Sequence, residues 1–414
     1  MLVAVLLYIV MEIFVGVLVG LLMLMLLVVA HEFGHFIAAR RNGVDVEEFG
    51  IGFPPRAIAW RKVGKKWRKL TRKEWDKTPG EGLIISLNWL PIGGFCQMHG
   101  ESDADDRKGS FGKASYWSKT KILFAGVAMN WLVAFLIFTV LAFMGMPHFV
   151  KDQFVIESDV SKSAQVPVTL TNIVENSPAA NALLQEDDIV SKMQTIDGED
   201  ETSIVSTDDL LNFNDRHAGE DIYMTILRGQ DILTVAVHLN DKDSEYRLGA
   251  GIAGSAIYRS TWSAPIVGLG TTIQLTGETF KGIGVMLWNL VDGGVKQLVG
   301  SEEAKEQGAK ELQEAGDSVS GPVGILGILF PAFTASGPRN LFFLVAIISV
   351  SLACMNVLPI PALDGGRWLM ITIARLRKKR LSKETEEKIV GRSFMVILVL
   401  ALIITVLDIF RLIG

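Results

Sequence analysis

Cysteine is almost absent from this chain. Two occur in 414 residues, Cys96 and Cys354. They stand far apart in dissimilar surroundings, which argues against a structural disulfide, and neither belongs to a Cys-x-x-Cys metal pair. A large excess of charge of either sign is also lacking. Forty Lys and Arg against 45 Asp and Glu leave a net charge of −5, and nothing in that balance calls for a nucleic-acid partner. The amino terminus lacks the basic n-region of a secretory signal. Its apolar run, Met1 to Ala30, is longer than a signal h-region, so it is expected to stay as a helix. Glu12 interrupts the run and sets the expected start of the spanning part near Ile13.

What is present is a mixture. Hydrophobic residues make up 49% and mean hydropathy is +0.35, yet charged residues still make up 21%. That combination predicts a membrane core carrying a water-exposed insert. The expected fold is a multi-pass α-helical membrane protein with about four transmembrane helices, a membrane-associated β-loop and an inserted mixed α/β domain. The spans are expected at Ile13–Ala39, from about Ile122 to Met146, at Leu341–Leu358 and at Phe394–Ile413. The expected domains are residues 1–147, 160–255, 262–335 and 336–414. The segment Leu83 to Phe95 has strand character, and 160–255 carries short alternating β-branched runs. Residues 262–300 predict an amphipathic helix with Ile273, Phe280, Ile283, Met286, Leu287 and Leu290 on one side. The polar residues 300–318 are expected to form a mobile loop, 375–392 a charged hairpin, and Pro322–Phe333 is apolar but too short to span.

The chemistry concentrates at His31-Glu32-Phe33-Gly34-His35. On a helix, His31 and His35 lie one turn apart on the same face and can share a metal. Glu32 follows the first ligand, where a general base acting on water belongs. The five-residue pattern alone arises by chance in unrelated proteins. Here it ends a membrane-length run, where ionisable groups cost about 2.5–3.5 kcal/mol each to insert, so a metal explains the cluster better than packing. A catalytic zinc site takes three protein ligands. Asp364, in Asn356-Val357-Leu358-Pro359-Ile360-Pro361-Ala362-Leu363-Asp364-Gly365-Gly366, is the candidate third, with the two glycines expected to allow a tight turn beside it.

HEFGH followed far downstream by NVLPIPALDGG resembles the site-2 protease family of intramembrane zinc metalloproteases. The likeness extends to Phe49–Phe53, to Pro91-Ile92-Gly93-Gly94-Phe95, which resembles the family's membrane-reentrant β-loop, and to Phe111–Ser115 leading into Ala125-Gly126-Val127-Ala128-Met129-Asn130. Ser320-Gly321-Pro322-Val323-Gly324-Ile325 also fits. The resemblance implies that His31, His35 and Asp364 bind Zn2+ and that Glu32 activates water. It further implies that Asn356, Pro359 and Pro361 line the site, with Asn356 placed to contact substrate or oxyanion. Asn130 would sit near the site on the second helix, and Gly93 and Gly94 would offer a strand edge to an unwound substrate.

The group it most resembles is the bacterial branch that cleaves anti-sigma factors and remnant signal peptides. That implies single-span membrane proteins as substrates, the lipid bilayer as surroundings, no nucleic acid, and residence in the bacterial cytoplasmic (inner) membrane. Basic residues after the first span and at 375–392 place those segments, and the active site, on the cytoplasmic side, with 148–340 outside. The basic stretch Arg61–Lys77 reads either as a contact to anionic lipid or as a solvated loop. Ser177-Pro178-Ala179-Ala180, Asp187-Asp188-Ile189-Val190 and Asp197-Gly198 resemble a PDZ domain, with Asp187 where glycine is usual and Leu183-Leu184 in place of Gly-Leu. Such a domain would capture a peptide carboxy terminus or act only as a steric gate. Two readings of other classes stand beside the protease. A membrane scaffold with structural zinc would have no need of Glu32, and a metal transporter fits poorly with a single ligand cluster.

Overall fold

The computed structural model describes residues 2–413 apart from 72–73, 75–81, 151, 245 and 318–320. The Lys77 end of the basic stretch and Ser320 therefore lie outside the described residues. The chain forms two compact units, Met1–Ile137 with Thr272–Gly414, and Phe138–Thr271.

The first unit opens with helix α1, Leu2–Arg41. Glu12 stands within it and does not end it. The helix stops at a Schellman cap: Gly43 is left-handed, Val44 N–H donates to Ala39 O at 3.0 Å and Gly43 N–H to Arg40 O at 3.4 Å. Arg40 and Arg41 fall in the last turn, where cations suit the helix dipole. Strands β1 (Val46–Val63), β2 (Lys66–Lys69) and β3 (Ile84–Met98) form an antiparallel sheet in the order β2-β1-β3. β3 covers the predicted strand segment. β1 carries Pro54-Pro55 and scattered charge in place of alternation, which hid it. Its buried Glu48 is satisfied by Arg56 and by Ser86 Oγ, which donates at 2.6 Å. Gly94 lets β3 lie flush on α1, since a Cβ there would meet Val29 Cγ2 at 3.2 Å. Helix α2, Tyr116–Met144, follows, its first turn capped by Ser115 Oγ, which accepts from Ser118 N–H.

The second unit is a mostly antiparallel sheet. Its strands are β4 (Met146–Pro147), β5 (Ser161–Ile173), β6 (Ile189–Thr195), β7 (Glu201–Ser203), β8 (Asp221–Arg228), β9 (Asp231–His238) and β10 (Ala250–Arg259). The order is β4-β10-β5-β6-β8-β9, with β7 on β6. Helices α3 (Pro178–Asn181) and α4 (Thr207–Arg216) complete it; Ser206 and Asp209 close a capping box on α4. The core comprises residues such as Leu170, Met193, Phe213, Ile222 and Met224. Burial would raise the Asp188 carboxyl, but hydrogen bonds from Arg228 and from Gln185 N–H outweigh it and hold the group below the usual carboxylate range.

Leu183 and Asp187 have left-handed backbones, φ 60° and 67°. A side chain costs about 1–2 kcal/mol there, and Leu183 is 77% exposed, so its side chain recovers little by burial. Leu183→Gly is therefore expected to stabilise this unit by about 1 kcal/mol. Thermal or urea melting checks this, and a lowered midpoint would refute the strain argument.

The chain then returns to the first unit. Helix α5, Ala264–Val299, leaves Ile273, Phe280, Leu287 and Leu290 of its predicted apolar side exposed. Residues 302–317 are helical, not a loop: α6, Glu302–Asp317, runs back along α5. Glu, Lys, Ala and Gln are strong helix formers however polar, and Lys296 bridges Asp292 on its own helix at 2.8 Å and Glu311 on α6. The apolar segment contains α7 (Pro322–Gly324), a π-helical turn (Ile325–Leu329) and α8 (Phe330–Ala335). It packs on α1, where glycine is the only fit: a Cβ at Gly16 would meet Pro331 Cα at 2.3 Å and one at Gly20 would meet Phe330 Cγ at 2.6 Å. Helices α9 (Pro338–Val357), α10 (Asp364–Leu376) and α11 (Lys383–Ile413) finish the chain. The charged part of the predicted hairpin, from Lys383, belongs to the same helix as the last span. Among the described residues, four helices are long and apolar enough to cross a membrane: Val10–Arg41, Tyr116–Met144, Pro338–Val357 and Lys383–Val406.

Candidate active site

α1 sets His31, Glu32 and His35 on its last turns. A ring nitrogen of His35, Nδ1, lies 2.8 Å from Ile122 O. A carbonyl oxygen only accepts, so Nδ1 carries the proton and Nε2 turns a lone pair inward. His31 Nε2 stands 3.0 Å from His35 Nε2. Asp364, the first residue of α10, brings Oδ2 to 3.1 Å from His31 Nε2 and 3.3 Å from His35 Nε2. Around a tetrahedral zinc with bonds of about 2.0 Å, ligand atoms are separated by about 3.3 Å. The three atoms already hold that spacing, and they are the one such cluster among the described residues.

Two further observations test whether a metal fits. Asp364 Oδ2 is buried without a hydrogen-bond donor, a costly state that a cation relieves. Gly126 on α2 faces both rings, and a Cβ there would lie 2.5 Å from His35 Nε2 and 2.6 Å from His31 Nε2. Only a residue without a side chain leaves that space open. α1 and α2 approach closely because Gly34 meets the Ala125 carbonyl, which a Cβ would strike at 2.3 Å.

The glycines after Asp364 act otherwise than expected. Gly365 and Gly366 are in the first turn of α10, not in a tight turn. Each would put a Cβ 2.0 Å from a backbone oxygen, that of Val357 or Ile360. Their role is to let α10 start directly against the chain leaving α9, which fixes Asp364 opposite the histidines.

The cluster opens into a cavity of ≈ 460 Å³ lined by His31, Glu32, His35, Asn356 and Asp364, with Gln97, Glu101 and Arg367 among its other polar residues. Cys96 of β3 lines the cavity beside Glu32. Burial, with the Glu32 and Glu101 carboxylates nearby, pushes the Cys96 thiol up to about 12, so it stays protonated at neutral pH. Asn356 Nδ2 donates to Leu352 O at 2.9 Å, which commits one amide hydrogen to its own helix. Gly93, Gly94, Asn130, Pro359 and Pro361 stand outside the cavity wall. Asn130 is buried behind His31, and the prolines lie in the α9–α10 connection. Gln97, Glu101 and Arg367 escaped the sequence reading. Arg367 was within reach, because it lies one helical turn beyond Asp364; it donates to Glu101 O at 3.1 Å and stacks over Phe111.

Comparison with known proteins agrees with this geometry. The model of peptidase family M50 matches residues 19–401. A Clostridium perfringens protein whose name provisionally makes it a zinc metalloprotease is 29% identical over 385 residues, 92% of this chain and 95% of the relative. The zinc metalloprotease RasP of Bacillus licheniformis is 26% identical, covering 93% and 96% of the two chains. The regulator of sigma-W protease RasP of Bacillus subtilis is 25% identical with the same coverage. Because the family model matches most of its length, the chain belongs to peptidase family M50, the site-2 proteases, and is a zinc metalloprotease.

Proposed function

We propose that this intramembrane protease hydrolyses peptide bonds within the transmembrane segments of single-span proteins in a bacterial cytoplasmic membrane. Anti-sigma factors and signal-peptide remnants are the expected substrate classes. The observation that carries the reading is the placement of His31, His35, Asp364 and Glu32 together on a cavity whose α1 wall belongs to a helix long and apolar enough to span. The name of the Bacillus subtilis relative, a sigma-W regulator, supports the anti-sigma branch.

In this reading His31, His35 and Asp364 hold the zinc. When bound, zinc supplies a Lewis acid for the scissile carbonyl and lowers the pKa of water. Glu32 takes the proton of the attacking water and returns it to the departing amine. Gln97, Glu101 and Arg367 keep the cavity polar, which gives water a route to a site walled by apolar helices. A helical substrate must unwind before it can be cut, because its amides are hydrogen-bonded and shielded. The edge around Gly93 and Gly94 would pair with the unwound strand. Basic residues flanking the spans support a cytoplasmic side for the site and an outer one for residues 148–340, and the exposed apolar side of α5 suits the membrane surface.

The second unit is read as PDZ-like. Leu183 and Asp187, which occupy positions where that domain type has glycine, keep the left-handed backbone that glycine would adopt, and Ser177 caps α3 by accepting from Ala180 N–H. β10 pairs with β4 at Ile257 and Tyr258, and His148 N–H donates to Ala256 O at 2.9 Å. Beyond Ser255 toward Ala250 the same edge has no further strand among the described residues. A short extended peptide could add there; the alternative role is a steric gate.

The test is cleavage of a panel of single-span peptides by purified protein in detergent, with and without a zinc chelator. Cutting inside the span that is lost on chelation is expected. Cutting only outside the span would overturn the intramembrane reading.

A further inference from the structure

Asn130 has no assigned part in the reaction, yet it is 1% exposed and its Nδ2 lies 3.3 Å from His31 Nδ1. Its Oδ1 is buried without a partner. His31 turns Nε2 toward Asp364 and His35. If Nε2 is the metal ligand, the neutral ring carries its proton on Nδ1 and that nitrogen is a donor. An amide NH2 facing it sets donor against donor. The oxygen and nitrogen of an amide have nearly the same outline, so the orientation follows from the hydrogen bonds available. Turning the amide over places Oδ1 opposite Nδ1–H. Either orientation leaves one amide atom without a protein partner, so that cost does not choose between them; the proton on Nδ1 does.

We propose that Asn130 is a positioning residue whose Oδ1 accepts the Nδ1–H of His31, fixing the ring and the tautomer that presents Nε2 to the metal. The inference rests on the reading of His31 as a zinc ligand. His35 has the same arrangement, with the Ile122 carbonyl as acceptor at 2.8 Å. The turn of α2 that carries Asn130 is itself held: Ser349 Oγ on α9 donates to Asn130 O at 2.7 Å. Both imidazoles are thus braced from behind by an acceptor, one from the backbone and one from a side chain. Such partners typically change metal affinity about 10–100-fold when removed.

The experiment is the zinc dissociation constant of the full chain in detergent, by chelator competition, for wild type, Asn130→Asp and Asn130→Leu, with thermal midpoints as a fold control. Aspartate can only accept at this position, and leucine has similar volume without an acceptor. The expected order is zinc binding by Asn130→Asp at least as tight as wild type, and by Asn130→Leu about 10–100-fold weaker. A packing role predicts the reverse, because leucine suits a buried site and an added carboxylate does not. That reverse order, or equal affinities, overturns the proposal. If a variant does not fold, nitrogen-15 labelling of histidine in the zinc-loaded wild type decides: Nδ1 of His31 is expected to be protonated, and an unprotonated Nδ1 refutes the inference. Wild type that binds no zinc, or binds it equally well after His35→Ala, would instead defeat the underlying metal-site reading.

Discussion

Glu32→Gln is expected to lower turnover of a membrane-spanning peptide by about 10³-fold or more, within the range typical of a lost general base, while zinc stays bound at one per chain. Glu32 lies beside the first ligand and lines the same cavity, but it is outside the three-atom cluster of His31, His35 and Asp364. Glutamine keeps the shape and the size of the side chain, so the fold survives. What it loses is the capacity to take a proton from water. Zinc content by elemental analysis and turnover on one peptide settle the point together. Residual turnover above a tenth of wild type, with zinc in place, would remove Glu32 from the role of base. Loss of zinc with loss of turnover would make it a ligand instead.

Gly126→Ala is the second large effect, and nothing in its chemistry announces it. The added methyl carbon would stand 2.5 Å from His35 Nε2 and 2.6 Å from His31 Nε2, closer than non-bonded contact allows. Relief by separating α1 from α2 means parting Gly34 from the Ala125 carbonyl against which it packs. The rings must therefore swing, and displacement of a catalytic group by about 1 Å costs about 100-fold in rate. The expected result is a folded protein with zinc affinity and turnover each reduced by about 100-fold or more. Full zinc occupancy and near-normal turnover would show that the space in front of Gly126 is not the metal's. This differs from Asn130→Leu, which leaves the metal's space open and removes only the brace behind His31.

The spans and the His31–His35 pair were legible because their signals are local. A membrane helix is a property of about 20 consecutive side chains, so α1, α2, α9 and α11 could be read with errors confined to their ends. His31 and His35 could be paired because helical periodicity alone places them together. Asp364 was reached through its motif, although its glycines were misread: a turn and a close approach both call for glycine, and only the neighbouring Val357 and Ile360 carbonyls distinguish them. α6 is not legible because its polarity resembles that of a loop, whereas Glu, Lys and Ala suit a helix once Lys296 and Glu311 give it a partner. β1 was missed because its pairing with β3 is made by backbone groups, and its prolines and charges mask the alternation.

The sequence by itself therefore determined the class of chemistry, the helices that carry it and the presence of a water-exposed insert, since each rests on residue type and short-range spacing. The tertiary structure alone decided that His31 Nε2, His35 Nε2 and Asp364 Oδ2 stand 3.0–3.3 Å apart, that Gly126 clears the space before them, and that Asn130, Glu101 and Arg367 gather around them. Those facts arise where helices distant in sequence meet. Their positions depend on backbone-to-backbone approach, which no single segment encodes.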